Sequence, residues 1–436
     1  MKMKPSVLLS LTCMLFSTAT TAGAQTTSDS LLVRYRLMAL EYDDDLKAAT
    51  RRVEACAELE RAARADRLPT LTAGGDVRHT GNPLEYTAQL PEIGPLTLRG
   101  HELKYGVSAT LSQPVYTGGR IAGAIRAAES ETRMSEAQRD MLQTELCYRV
   151  DVQYWTTVAR RERMAVAEEY LGAVKSLERV VRERVDAGLC DRQELLSVEV
   201  KHNEARYRLL EAQSDFEVGL MALNALIGKP LDAPTPVGET LPEIEPGAAE
   251  LADATLHPEI RLARERIDRE KAGLQLREAP YKPQLHFGAN AGYFAPGYDF
   301  RPDLSPNYTL YAQLSIPIFH GGRRYRERRA SEYRVGMAND ALHRTETELE
   351  LQTRTARTAL AEAQERVLLA ASSLDKAREN ERRATEKYAE GAISVSEVID
   401  AQFYRQTAQE QLVAAKAAVR MHLAELTKAT DGYRVR

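Results

Sequence analysis

The residues that could do chemistry in this 436-residue chain do not form a catalytic set. The segment IGKP at 227–230 resembles the end of a phosphate-binding loop, but Leu223 stands where the pattern GxxxxGK requires its first glycine. No GxSxG, HExxH or GxGxxG motif occurs, and the 8 histidines have no metal-ligand spacing. A pair of carboxylates remains, Glu397 and Asp400, whose spacing of three places them on one face of a helix. The sequence therefore predicts no enzymatic activity, no cofactor and no metal site.

Charge, hydropathy and cysteine content exclude further classes of protein. With 59 Lys+Arg against 63 Asp+Glu the net charge is -4, which gives no bulk positive field for nucleic acid. The mean hydropathy is -0.42, and no apolar run of 18 residues follows the N-terminus, so a helical membrane protein is excluded. Only 7 Phe and 1 Trp are present, which favours long, thin helices over a thick core. Three cysteines follow the first 24 residues: Cys56, Cys147 and Cys190. Their odd number and the absence of CxxC spacing argue against a disulfide framework and against a thiolate zinc site.

The first 24 residues are predicted to be a signal peptide. A basic start at Met1–Lys4 is followed by an apolar stretch from Val7 to Phe16. Ala22, Gly23 and Ala24 then supply the small residues that precede cleavage, here before Gln25. The sequence therefore predicts an exported protein.

Two motifs occur twice in the chain at one offset. QPVYTGGR at 113–120 returns as IPIFHGGR at 316–323, and RVDAGLCDRQELLSVE at 184–199 returns as KYAEGAISVSEVIDAQ at 387–402. Both pairs are 203 residues apart, which indicates an internal duplication.

Prolines and glycines mark the boundary between the two copies. They concentrate in 229–254, which is predicted to be a linker. The first copy then covers 25–228 and the second 255–436. Between its first strand and the GGR motif the first copy is 11 residues longer, which predicts a longer hairpin loop.

Four segments alternate between apolar and polar residues over about ten positions, which predicts β-strands. These strands are predicted over 70–78, 103–115, 283–294 and 308–319. Their length fits a tilted transmembrane strand, and their small and polar faces fit a water-filled lumen. Two soluble hairpins are the alternative, but no amphipathic segment is available to cover the apolar faces. Because an open edge in lipid leaves backbone groups unpaired and about eight strands are needed for closure, two or three copies of the chain must share one barrel.

Two stretches without proline predict unusually long helices. At ~1.5 Å per residue each would extend for roughly 100 Å. Apolar residues separated by steps of three and four indicate coiled-coil packing. The long helices end at Gly188 and Gly391, which suit a left-handed helix cap. The predicted helices cover 119–187, 190–228, 321–390 and 394–428.

Together these features resemble the TolC-like family of outer-membrane efflux and secretion channels. The resemblance rests on the two GGR motifs at strand-to-helix junctions, the tip motifs ending in LLSVE and VIDAQ, and NALIGKP at 224–230. It implies a mainly helical fold, in which long antiparallel helices form an α-barrel and four strands per chain join a trimeric 12-stranded β-barrel. The location implied is the outer membrane of a Gram-negative bacterium, with the helices extending into the periplasm. The junction glycines are Gly118, Gly119, Gly321 and Gly322.

The resemblance also implies a gate at the periplasmic end of the helices. Glu397 and Asp400 match acidic residues that face the narrowed lumen, where three copies would favour cations. Tyr388 matches a tyrosine that bonds to an acidic residue of a neighbouring helix, a position held here by Glu194. Ile393 stands where the family has a gate arginine, so the lock that depends on this arginine is predicted to be absent.

The implied function is that of a passive exit duct in a tripartite efflux pump or a type I secretion system. Its implied partners are outer-membrane lipid, a periplasmic adaptor (membrane fusion) protein and an inner-membrane transporter of the RND, ABC or MFS type. A non-conducting trimeric coiled-coil spacer or structural outer-membrane protein is the alternative. The arginine run at 323–329 is expected on a helix surface just below the membrane, facing solvent or headgroups. The adaptor is expected to dock at the helix tips, where plain helix capping also explains the glycines: Ala187, Gly188, Leu189, Glu390, Gly391 and Ala392.

Overall fold

The computed structural model describes residues 22–91, 94–242, 257–297 and 303–433. Within these ranges the chain forms seven α-helices and six β-strands. In chain order they are α1 (Ala22–Tyr42), α2 (Asp44–Ala65), β1 (Thr70–His79), β2 (Glu85–Leu90), β3 (Gly94–Arg99), β4 (Leu103–Thr117), α3 (Arg120–Asp186), α4 (Arg192–Ile227), α5 (Pro258–Glu278), β5 (Gln284–Ala295), β6 (Ser305–Ser315), α6 (Arg323–Ala389) and α7 (Val395–Ala429). None of these helices is both long and apolar enough to cross a membrane.

Two of the predicted segments lie partly outside the described residues. The leader predicted over 1–24 falls there up to residue 21, and its last three residues begin α1. The linker predicted over 229–254 is described as far as residue 242. This described part packs on helices of the chain: the Tyr35 hydroxyl donates to the Pro236 carbonyl (2.6 Å), and Arg161 donates to the Val237 carbonyl (2.8 Å).

The described parts of the two copies share one sequence of elements, to which the first copy adds the helix α1 and a hairpin. A helix, two strands, a long helix and a return helix follow one another in both. The long helices α3 and α6 each have 67 residues, and both their first and last residues are 203 apart. The return helices α4 and α7 also begin 203 residues apart, at Arg192 and Val395. The duplication in the sequence is therefore repeated in the backbone.

The main sheet has the order β1-β4-β5-β6, and all neighbours are antiparallel. Its register places Leu71, Leu111, Ala289 and Leu310 in one row across the four strands. The apolar residues predicted to alternate with polar ones therefore share one face, and this face is exposed in the single chain. On the other face, the Asn290 amide donates to the Thr110 hydroxyl (2.7 Å). β1 and β6 are the edges, and each lacks a second neighbour among the described residues.

The sequence did not predict β2 and β3, and it misplaced β6. The longer loop of the first copy forms a separate two-stranded hairpin, whose six-residue strands are too short for alternation to distinguish from a loop. The strand predicted over 308–319 lies instead at Ser305–Ser315. Pro317 follows it and has no N–H for the ladder, so the strand ends before this residue. β4 continues to Thr117 through a register shift between Pro114 and Tyr116.

The chain divides into two compact units. One contains Met1–Ala48, Asp140–His257 and Thr347–Arg436; the other contains Ala49–Arg139 and Pro258–Glu346, including the sheet. The first unit has two buried apolar clusters. One is built on α1, α3, α4 and α7 around Tyr154, whose ring lies 4.9 Å from that of Trp155. The other lies beneath the turns that join each long helix to its return helix, and it positions the candidate site.

Candidate functional site

The candidate site consists of the two turns at the ends of α3 and α6 together with the flanking helix ends, here called the first and second tips (residues 184–198 and 387–401). In the first tip Gly188 has φ 70°, its N–H donates to Val185 (2.9 Å), and the next N–H donates to Arg184 (2.8 Å). Gly391 has φ 77° and makes the same two bonds in the second tip. This pattern is a Schellman cap, and glycine adopts its left-handed conformation without the penalty of ~1–2 kcal/mol that a Cβ brings.

The return helices begin with matching caps. The Asp191 carboxylate accepts from the Gln193 N–H (2.9 Å) at the start of α4. Ser394 and Glu397 form a capping box at the start of α7, in which Glu397 accepts from the Ser394 N–H (3.4 Å). Glu194 lies at the position of α4 that corresponds to Glu397 in α7. Glycine caps and N-caps thus explain why the backbone turns in the same way at both tips.

A shared apolar cluster holds the two tips together. Tyr388, Val395 and Val398 of the second tip region are buried against residues of α3 and α4 that include Val181 and Val198. Cys190 packs partly buried against this cluster from the first tip. Ile393, the equivalent residue of the second tip, does the same. An apolar side chain on the core therefore occupies the position at which the family resemblance expects an arginine.

Arg184 links the first tip to the second. Its two terminal nitrogens donate to the carbonyls of Tyr388 (2.9 Å) and Ala389 (2.8 Å), at the C-terminal end of α6. The guanidinium also lies over the Tyr388 ring, 4.6 Å from its centroid. A cation at a helix C-terminus is favoured by the helix dipole, and here it comes from the neighbouring helix. Lys387, the repeat equivalent of Arg184, is exposed.

Sequence reasoning missed Arg184 because its partners are 204 and 205 residues away. The only local signal was a basic residue in the last turn of α3, and such residues are common at helix ends. Because every residue has a main-chain carbonyl, this contact does not require particular residue types at the two partner positions.

The predicted bond between Tyr388 and Glu194 stays a prediction. The Tyr388 hydroxyl is buried and makes no hydrogen bond within the described part of the chain. Burial raises the pKa of Tyr388. The positive charge of Arg184 lowers this pKa, and the nearby Glu194 carboxylate raises it further. Glu194 itself is half-buried. The two groups are therefore close enough to interact, although the single chain does not join them directly.

Glu397 and Asp400 lie on the exposed face of α7. Between them Val398 and Ile399 are buried in the cluster, so both carboxylates point away from it. Asp400 makes no hydrogen bond or ion pair with the described residues, whereas Glu397 is held by the cap at Ser394. Position 400 corresponds to Ser197 in the first copy, so this acidic residue belongs to the second tip alone.

Farther from each tip, a carboxylate of the long helix contacts a basic side chain of the return helix. Glu178 contacts His202 in the first copy, and Arg405 donates to Glu381 (2.7 Å) in the second; both partners are shifted by 203 residues. Burial opposes ionisation of Glu178, yet its pKa is lowered by His202 and Arg182. Burial raises the pKa of Glu381.

The residues predicted to dock an adaptor are exposed at both tips. Leu189 is 75% exposed. Ala187, Glu390 and Ala392 are exposed as well. Across the described residues, no group of three or more His, Cys, Asp or Glu side chains could hold a metal ion.

Known proteins resemble this chain in sequence and in fold. The model of the outer membrane efflux protein family matches residues 37–229 and 254–432. The solvent efflux pump outer membrane protein SrpC of Pseudomonas putida is 25% identical over 301 residues, which cover 68% of this chain and 62% of that relative. This chain therefore spans less than two thirds of the length of the curated relative.

Solved outer-membrane channels share the fold. The structure of CusC superposes with a TM-score of 0.78 at 17% identity and covers 92% of both chains. The open state of the MtrE outer membrane channel of Neisseria gonorrhoeae gives a TM-score of 0.76 at 20% identity, over 92% of this chain and 88% of that one. Channels of this kind are trimeric and work with adaptor and inner-membrane pump components. Because the family model covers most of its length, this chain belongs to the outer membrane efflux protein family, whose members lie in the outer membrane and extend into the periplasm.

Proposed function

We propose that three copies of this chain form the outer-membrane exit duct of an efflux pump, through which substrates pass passively to the exterior. The observation that carries the proposal is the four-stranded sheet. Its apolar face is exposed, with Leu71 at 73%, Leu310 at 75% and Tyr308 at 80%, and its edge strands β1 and β6 lack further neighbours among the described residues. In lipid such edges must pair, and pairing β6 of one copy with β1 of the next closes a barrel.

The helix tips supply the gate of the proposed duct. The apolar cluster and Arg184 hold the second tip against the first in each chain. Opening would either separate the two tips of each chain or move both tips as one unit. A separation would break the polar contact that Arg184 makes. Glu397 and Asp400, exposed beside the second tip, would then line the narrow entrance and favour cations.

A periplasmic adaptor is the proposed partner at the tips, and an inner-membrane transporter of the RND, ABC or MFS type supplies the energy. Support for docking comes from the exposed small and apolar residues around Gly188 and Gly391. They offer a surface that a partner's helical hairpin could cover. The name of the relative SrpC refers to solvent efflux, and we propose small apolar compounds as the first substrates to test.

Planar-bilayer recording of the purified full-length chain tests the proposal. A duct gives discrete conductance steps, whereas a non-conducting spacer gives none. Because a closed gate would also be silent, the recording must include Arg184→Gln, which removes the link between tips. Silence from both proteins, after the trimer has been shown to enter the bilayer, would contradict the proposed function.

A further inference from the structure

A dense run of arginines begins α6, directly after the sheet. Five of the first seven residues of the helix are arginine, and all five are exposed. Ahead of them, between β6 and α6, Ile316, Ile318 and Phe319 are 57%, 94% and 85% exposed. The arginines are Arg323, Arg324, Arg326, Arg328 and Arg329.

Carboxylates within the chain neutralise only part of this charge. Glu327 accepts from Arg323 (2.6 Å), and Glu332 accepts from Arg328 (2.9 Å). Arg324 and Arg326 have no carboxylate partner in the described part of the chain. Glu278 also lies 3.7 Å from Arg328, so five arginines against three glutamates leave a local charge of +2 per chain.

The arginines surround the helix instead of forming a stripe. At about 100° per residue they lie at roughly 0°, 100°, 140°, 240° and 300° around the axis, so no gap exceeds roughly 100°. Whichever side of α6 faces outward in the assembly therefore carries a guanidinium group.

The equivalent junction in the first copy has a different character. There only two of the first seven residues of α3 are arginine, Arg120 and Arg126, and Ile121 and Ile125 are buried. A Cβ added at Gly118 would lie 2.4 Å from the Ala279 carbonyl, so this junction is closely packed. At Gly321 and Gly322 no atom lies within 4 Å of an added Cβ. In the single chain the second junction is thus less closely packed around its glycines than the first.

We propose that residues 316–329 form a binding site for the headgroups of anionic phospholipids in the membrane leaflet nearest the helices. Ile318 and Phe319 would enter the edge of the acyl layer, as the apolar and aromatic residues at barrel rims do. Arg324 and Arg326 would bind phosphate oxygens, which match the fork of a guanidinium group. The inference rests on the proposed function only in requiring that the sheet spans the membrane.

Lipid selectivity measured by spin-label electron paramagnetic resonance tests the site. The full-length protein is reconstituted in phosphatidylcholine with trace spin-labelled phosphatidylglycerol or phosphatidylcholine. We expect the native chain to prefer phosphatidylglycerol by about threefold at low salt, because basic residues near a membrane attract anionic lipid. In the double variant Arg324→Gln/Arg326→Gln the preference should fall to about 1.5-fold.

A matched variant removes two exposed arginines farther along the same helix, Arg354→Gln/Arg366→Gln, and should keep the full preference. The inference is overturned if Arg324→Gln/Arg326→Gln keeps it too, or if the matched variant loses as much. Inorganic phosphate should displace no more spin-labelled lipid than chloride at equal ionic strength; stronger displacement would assign the arginines to free phosphate. A protein that does not enter the bilayer contradicts the proposed function, whereas one that enters without lipid preference contradicts this inference alone.

Discussion

The first and second tips share a backbone but differ in their charges. Gly188 and Gly391 adopt the same left-handed cap, and Cys190 and Ile393 pack against the same cluster. Around this common turn, Arg184 reaches across to the other tip while its equivalent Lys387 is exposed. The second tip carries Asp400 at the position that corresponds to Ser197 in the first. Glycine caps and apolar packing are thus common to both turns, whereas the charged positions around them differ.

The comparison assigns separate roles to the two tips. The first tip provides the holding contact, since the only guanidinium that spans both tips in the described residues belongs to α3. The second provides the exposed carboxylates beside the proposed entrance. Variants at equivalent positions can therefore distinguish a shared structural role from a role specific to one tip.

Proline at the glycines should have the largest effect. Gly391→Pro cannot adopt φ 77° and loses the N–H that donates to Tyr388, so the second tip should unwind and export should be abolished. The trimer should remain in the outer membrane because the sheet is untouched. Export is measured as growth on antibiotics and solvents in a strain lacking its own exit duct.

Gly188→Pro is the equivalent change in the first tip and should be as damaging if both tips dock the adaptor. Gly336→Ala, in the interior of α6 where an added Cβ meets open space, should leave export intact. Normal export by Gly391→Pro would remove the second tip from the docking surface.

Loss of Arg184 should open the channel. Arg184→Gln removes two hydrogen bonds from a charged donor, and a loss of about 1.5 kcal/mol would shift the balance of closed and open states by about tenfold. Open probability in planar bilayers gives the measurement. Lys387→Gln removes the same charge from the other tip and should change the open probability little. Equal opening by both variants would show that net charge controls the gate, and not the contact between Arg184 and the second tip.

Neutralising the exposed carboxylates should reduce selectivity without affecting opening. In Glu397→Gln/Asp400→Asn the reversal potential in a salt gradient should move toward zero by about half. Glu194→Gln changes the half-buried equivalent of Glu397 and should have a smaller effect. If the reversal potential of the double variant matched that of the native channel, these carboxylates would not face the lumen.

Acid should loosen the first helical hairpin, α3–α4, more than the second, α6–α7. The pKa of Glu178 is lowered by its partners, so its ion pair stabilises the fold above the ordinary glutamate pKa of about 4.3 and is lost as pH falls through the lowered value. Burial raises the pKa of Glu381, so protonation in acid relieves the cost of burying its charge and offsets the loss of its ion pair with Arg405. The exchange rate of backbone amide hydrogens, corrected for the intrinsic rate at each pH, should therefore rise around Glu178 when the pH is lowered from about 5 to about 3. We expect this rise to be less than about tenfold, and smaller still around Glu381.

Glu178→Gln should abolish this difference between the hairpins. The pH effect would be traced elsewhere if the variant retained it, or if both hairpins of the native chain loosened equally.

Local patterns were enough to predict the elements of the fold but not the contacts between distant residues. Alternation predicted the apolar face of the sheet, and glycines predicted the ends of both long helices, because each is a property of neighbouring residues. The hairpin β2–β3 escaped detection because its strands are short. In the site, the spacing of Glu397 and Asp400 along one helix is a local property, whereas Arg184 and the burial of Ile393 depend on tertiary packing across about 200 residues.

Single-channel recording of the native chain beside Arg184→Gln and Lys387→Gln tests the central claim most directly. An exit duct with a gate at its helix tips should conduct in discrete steps, and Arg184→Gln should be open about ten times as often as the native chain or Lys387→Gln. Absence of conductance in all three inserted proteins would contradict the duct. Conductance with identical open probability in all three would contradict the gate.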